Sequence, residues 1–182
     1  MACSLTLSGR ELPCRDSVGG IRNVWILSDY NNQTPDDGQF IEGMYAVVTS
    51  GKINSTLQAA VYRDYVSPKN TSTFTQNVNG SIENGNVFYQ QVLSLVLSKP
   101  VSEDVIELRN LAKGRMSIIV EDNNGNKFVM GHTQGVELSG GSIATGTGKG
   151  DLNGFTLEFT AEERIPAPFV GTGTNMTFTP TA

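Results

Sequence analysis

Val87-Phe88-Tyr89-Gln90-Gln91-Val92-Leu93-Ser94-Leu95-Val96-Leu97-Ser98 is the stretch that decides the class of fold. Successive side chains of an extended chain point to opposite faces of a sheet. Val87, Tyr89, Gln91, Leu93, Leu95 and Leu97 then share one face and, Gln91 apart, are apolar. Phe88, Gln90, Val92, Ser94, Val96 and Ser98 share the other, which is mixed. That period of two predicts a strand with one face on a core and the other partly covered.

Downstream, Pro100 stops the strand and a helix is expected over about 102–113. Ser102 is placed to cap its first turn. Glu103 and Asp104 suit the positive end of the helix dipole and Lys113 the negative end. Val105, Leu108, Leu111 and Ala112 recur at spacings of three and four, an apolar stripe, and Gly114 ends the helix. Met116, Ile118 and Val120 then alternate with Ser117, Ile119 and Glu121, and the chain turns at Asp122-Asn123-Asn124-Gly125-Asn126. Phe128 and Met130 return on the core face, as in a hairpin. A bent, Gly-rich strand is expected over about Val136 to Ile143, and a last strand over Phe155 to Thr160.

Upstream, Ile21 to Leu27 reads as the first strand, followed by a loop dense in turn formers from Ser28 to Gly38. Phe40 to Thr49 and Ser55 to Tyr62 read as a hairpin across Ser50-Gly51-Lys52. Arg63 to about Lys69 reads as a loop, and Ser72 to Gln76 as a short strand. The count, about eight strands and one helix, gives a mainly β (α+β) class, sandwich-like or barrel-like with one flanking helix. The 182 residues are expected to form a single domain, 1–182. The polar residues 1–19 read as an N-terminal arm and 165–182 as a C-terminal tail, both extended interaction segments.

Charge narrows the partners. A formal net charge of −5 and a pI near 4.8, with Lys and Arg scattered singly, disfavour binding to nucleic acid by phosphate neutralisation. No secretory signal is recognised at the start, and no apolar run is long enough to span a bilayer. Cytoplasmic synthesis without membrane association is therefore expected. Cys3 and Cys14 are then expected as thiols.

Candidate chemical motifs all have plainer readings. His132 is the only histidine, in Met130-Gly131-His132-Thr133, with no nucleophile beside it to activate. One His and two distant Cys do not make a zinc site. The turn Asp122 to Asn126 imitates a calcium loop but lacks its glycine spacing and its twelfth-position Glu. Gly146-Thr147-Gly148-Lys149-Gly150-Asp151 lacks the leading Gly and the trailing Ser or Thr of a phosphate loop. Asp29, Asp36, Asp37 and Glu42 form an acidic neighbourhood that turn propensity explains. No catalytic, cofactor-binding or metal residue is therefore assigned, no cofactor is expected, and the chain is not read as an enzyme.

Three segments together resemble the tail tube proteins of tailed bacteriophages. They are Cys14-Arg15-Asp16-Ser17-Val18-Gly19-Gly20-Ile21 to Leu27, the helix running into Arg115-Met116-Ser117-Ile118-Ile119-Val120-Glu121-Asp122, and Gly150-Asp151-Leu152-Asn153-Gly154-Phe155-Thr156-Leu157-Glu158-Phe159-Thr160 leading to Pro166 and Pro168. The resemblance covers chiefly residues 14–27 and 87–168. It implies an antiparallel β-sandwich or barrel-like tail tube fold, a virion structural protein whose homohexameric rings self-assemble into a tube, and a lumen that DNA crosses without specific binding. It implies as partners further copies of the chain and the tape measure, tail terminator and baseplate or tail tip proteins. Its location would be the virion tail, after assembly in the host bacterial cytoplasm. The alternative is another virion structural protein, a head decoration or head–tail connector subunit. A carbohydrate-binding module is a third class, disfavoured by the single Trp25.

Overall fold

Among the described residues, twelve strands and one helix make up the regular structure, and strand pairing sets their arrangement. A computed structural model describes residues 16–27, 48–49, 52–53, 62–81, 83–170 and 178–179. The strands are β1 (Ile21–Leu27), β2 (Val48–Thr49), β3 (Lys52–Ile53), β4 (Tyr62–Tyr65), β5 (Thr73–Ser81), β6 (Asn86–Ser98), β7 (Ser117–Asp122), β8 (Lys127–Met130), β9 (Glu137–Ala144), β10 (Gly154–Glu163), β11 (Phe169–Val170) and β12 (Phe178–Thr179), with α1 (Ser102–Leu111) between β6 and β7.

The strands divide into two sheets. The larger runs β12-β4-β1-β7-β8-β11-β3-β2, and the smaller runs β5-β6-β10-β9. Pairing is antiparallel except for β11 on β3 and β12 on β4. Val24, Ile26, Ile118, Val120 and Met130 of the larger sheet share one buried apolar cluster with Leu93, Leu95, Phe155, Leu157 and Phe159 of the smaller. The two sheets thus pack their inner faces over a common core, which burial of these side chains stabilises.

Strand β6 keeps its alternation over Gln90 to Leu95, with Gln91, Leu93 and Leu95 fully buried on the core face, whereas Val87, read on that face, is exposed and Val96, read on the other, is buried. Gly154 lets β10 lie against it, because a Cβ there would stand 2.0 Å from the Leu97 carbonyl oxygen. The bend expected near Val136 to Ile143 is a register shift in β9, where Glu158 pairs with Gly140 and Phe159 with Leu138. The β7–β8 strands differ from their period-two reading. Ser117, Ile118, Ile119 and Val120 are all buried, because β7 is interior to the larger sheet and covered on both faces.

Several boundaries also move. Tyr62–Tyr65 is strand β4, not loop, because its backbone pairs with β1 across Arg63↔Ile26, Asp64↔Trp25 and Tyr65↔Val24. Strand β5 runs to Ser81, beyond the short strand expected to end at Gln76, since β6 offers it a nine-residue ladder. Of the hairpin read over Phe40 to Tyr62, the described part is Val48–Thr49 paired with Lys52–Ile53, which puts Lys52 in a strand rather than in the link.

In α1 the capping residue is Val101, not Ser102. Asp104 reaches back to accept the Val101 N–H at 2.8 Å, while the Ser102 hydroxyl bonds Glu103 instead. The expected stripe is only half used: Leu111 is buried and Leu108 packs on the core, whereas Val105 is 56% and Ile106 66% exposed. The Tyr65 hydroxyl donates to the Glu107 carboxylate and ties the helix to β4.

The terminal segments are partly built into the fold. Phe169–Val170 pairs with β8 and β3, and Phe178–Thr179 with β4, so the tail 165–182 contributes two strands to its own chain's sheet. At the end of the arm 1–19, Asn124 both donates to the Val18 carbonyl and accepts the Val18 N–H, and Asn123 donates to the carbonyls of Gly19 and Gly20. The arm's last residues are thereby clamped to the β7–β8 turn. Residues 1–15 lie outside the described ones.

Candidate functional site

The residues singled out as candidate chemistry stay apart. His132 is half-buried beside the Thr133 hydroxyl at 3.2 Å. Cys3, Cys14, Asp29, Asp36, Asp37 and Glu42 lie outside the described residues. Among the described residues no three His, Cys, Asp or Glu come together as a metal-holding group.

Both anion- and cation-like loops are closed by their own side chains. The Asp151 carboxylate accepts from the N–H groups of Gly148 and Thr147, at 2.6 and 2.8 Å, and from the Thr147 hydroxyl. Those bonds, led by the Gly148 amide, hold the Asp151 carboxyl below its usual range. The amides that a phosphate would require are therefore engaged. In the β7–β8 turn, partial burial pushes the Asp122 carboxyl up, and hydrogen bonds from Asn126 and Asn124 outweigh it, leaving Asp122 below the usual carboxylate range.

Two buried polar side chains escaped the sequence reading. Gln91 accepts the Gly131 N–H at 3.1 Å, and Glu163 accepts the N–H groups of Thr133 and Gln134, each at 2.8 Å. From the smaller sheet they hold the loop between β8 and β9, where the chain passes from one sheet to the other. Gln91 Nε2 and Glu163 Oε2 are buried without a hydrogen-bond partner among the described residues. Glu163 was legible only as one of two adjacent carboxylates, Glu162-Glu163. The inward parity of β10 selects the second.

The feature with the most reach is the smaller sheet itself. Its end strands β5 and β9 each pair on one side only among the described residues. Its four strands contain no Lys, Arg or His. Its outer face mixes polar and acidic side chains with Phe88, Val92 and Val96. Gln90 stands across from Asn77 and Glu162, Val92 from Thr75 and Thr160, and Ser94 from Thr73 and Glu158. Glu158 and Glu162 are exposed. Glu137, on β9, pairs with Arg115 at 3.0 Å, both side chains being more than half exposed. This ion pair rims an open, polar groove of about 350 Å³.

A second groove, of about 550 Å³ and more apolar, opens beside the β5 edge. Its walls include Val18, Ile21, Phe74, Val120 and Phe128. Phe128 packs between Phe74 and Phe169 with tilted rings, at centroid distances of 6.0 and 4.6 Å. Among the described residues no helix is long and apolar enough to cross a membrane. Glu158 and Glu162 give the smaller sheet's outer face exposed negative charge, offset at its rim by Arg115. Comparison with known proteins finds no family model that matches the chain, and no curated protein or solved structure that matches it.

Proposed function

We propose that the chain is a structural subunit of a bacteriophage tail tube, whose copies close into six-membered rings that stack around a DNA passage. The observation that carries this reading is a four-stranded sheet whose two end strands are unpaired on their outer sides among the described residues and whose own strands carry no Lys, Arg or His.

An unpaired edge invites further strand pairing. Strands β5, β6, β10 and β9 alternate in direction, so β5 and β9 run oppositely. A copy related by rotation therefore presents its β5 antiparallel to β9, and every joint in a ring is of the same kind. Closure removes both edges from every copy. The core covers the inner face of the smaller sheet, which leaves the outer face, with Glu158 and Glu162, to line the lumen. Carboxylates, amides and hydroxyls there let a phosphate backbone slide without adhering. In this reading the tape measure protein occupies the lumen before DNA, and the terminator and tip proteins meet the ends. The location is the virion tail, and no catalytic step is assigned.

Negative-stain electron microscopy of the concentrated protein at neutral pH and moderate salt is the test. Hollow tubes or six-fold rings are expected. Compact trimers or rings of another order would move the assignment to a decoration or connector subunit, and a protein monomeric at every concentration would overturn it.

A further inference from the structure

The two edges of the smaller sheet, unpaired among the described residues, are not alike, and their difference matches. On β9, Ile143 is 64% exposed although it lies on the core side of the sheet, level with the buried Phe155. It sits at the edge, beyond the reach of the core, and is a costly residue to leave in water. On β5, Thr73 to Gln76 form one wall of the apolar groove, with Phe74 on the same side of the sheet as Ile143. The groove is the mouth of the two-layer packing at that edge, with Phe128 and Val18 across from Phe74. One edge thus carries an apolar knob and the other an apolar hole, both on the core side.

We infer that Ile143 of one copy seats in the groove beside β5 of the next, so that a second copy of this chain covers that groove. The inference rests on the ring reading above and adds its register. Ile143 is level with Phe155 and so with Leu97, three residues past Ser94, the partner of Thr73. Bringing Ile143 opposite Phe74 of the next copy staggers the sheet by about four residues per four strands, or about one per strand, the ratio at which closed eight-stranded barrels tilt by about 36°. Ser142 then stands opposite Thr75, both on the outer face and both exposed.

The test uses the full chain with Cys3→Ser and Cys14→Ser, into which Ser142→Cys is combined with Thr73→Cys, Thr75→Cys or Asn77→Cys. Directly opposed residues bring Cβ atoms within disulfide reach. Oxidation is expected to give a ladder of covalent oligomers ending at the hexamer, strongest by at least about fivefold for the Thr75 pair. Separately, Ile143→Glu is expected to abolish assembly while the melting temperature of the monomer stays unchanged, since the residue is exposed within one chain. Rings that form with no ladder from any pair, or with Ile143→Glu assembling as well as the parent, overturn the seat and leave the ring reading intact. A parent protein that forms no ring sinks the ring reading and the seat with it.

Discussion

Single side chains here do structural tasks that their residue types alone do not announce. Gly131 adopts a φ of 69°, and a Cβ on it would lie 2.4 Å from a Val136 methyl and 2.6 Å from the Gly135 carbonyl carbon. Gly131→Ala is therefore expected to cost about 2–3 kcal/mol, read as a shift in urea midpoint at unchanged slope. Asp122 makes a pH-dependent contribution whose sign follows from its lowered carboxyl. The ionised form is favoured in the folded state, so the contribution is complete above the ordinary carboxylate range and is lost as pH falls through the folded value. The melting temperature of Asp122→Asn should lie below that of the parent at pH 7, and the gap should close in acid. A gap that widens below pH 4 would contradict the assignment.

Elements differ in how firmly they are held. Helix α1 rests on Leu111, Leu108 and the hydrogen bond from Tyr65 to Glu107, while Val105 and Ile106 face water. Burial, aided by the Glu107 carboxylate, pushes the Tyr65 phenol up, so the hydroxyl remains a donor throughout the neutral range. Leu111→Ala should cost about 2–4 kcal/mol and Tyr65→Phe about 1–2 kcal/mol, whereas Val105→Ser should change stability by less than about 0.5 kcal/mol. Denaturant unfolding of the three variants orders them; a large effect at Val105 would mean that the helix packs on something beyond this chain. The loop joining β8 to β9 depends on Glu163. Glu163→Ala should accelerate hydrogen exchange at Thr133 and Gln134 selectively, leaving the β6–β10 ladder protected.

At the scale of the whole molecule, the smaller sheet carries carboxylates in its strands but no basic residue of its own. The basic residues lie outside the smaller sheet, whose outer face keeps Glu158 and Glu162 exposed. If that face lines a passage, Glu158→Lys with Glu162→Lys should leave assembly intact and create binding to duplex DNA that falls steeply between about 50 and 200 mM salt. Equal DNA binding by parent and variant assemblies, in filter-retention measurements across salt, would place the face away from the passage. Deleting residues 1–19 is a harsher change than the polarity of the arm implies, because Val18 to Gly20 are bonded to Asn123 and Asn124 of the β7–β8 turn.

Local periodicity was enough to determine much of this. The strand Ile21–Leu27, the long strand through Leu93 and Leu95, the hairpin about Asn124-Gly125, the bend in β9 and the single helix all follow from side-chain alternation and turn chemistry, which act over a few residues. The clean stretches without Lys or Arg, 70–98 and 150–163, were also on display in the sequence. Their meaning was not, because nothing local says that β5, β6 and β10 are neighbours. Tertiary structure alone decided which strands share a sheet, that β7 is buried on both faces, and that Gln91 and Glu163 turn inward to hold a loop from the other sheet. It likewise decided that Val105 stays wet while Leu111 is covered. Those outcomes depend on contacts between residues far apart in the chain, where burial and backbone pairing outweigh the local preferences that a sequence displays.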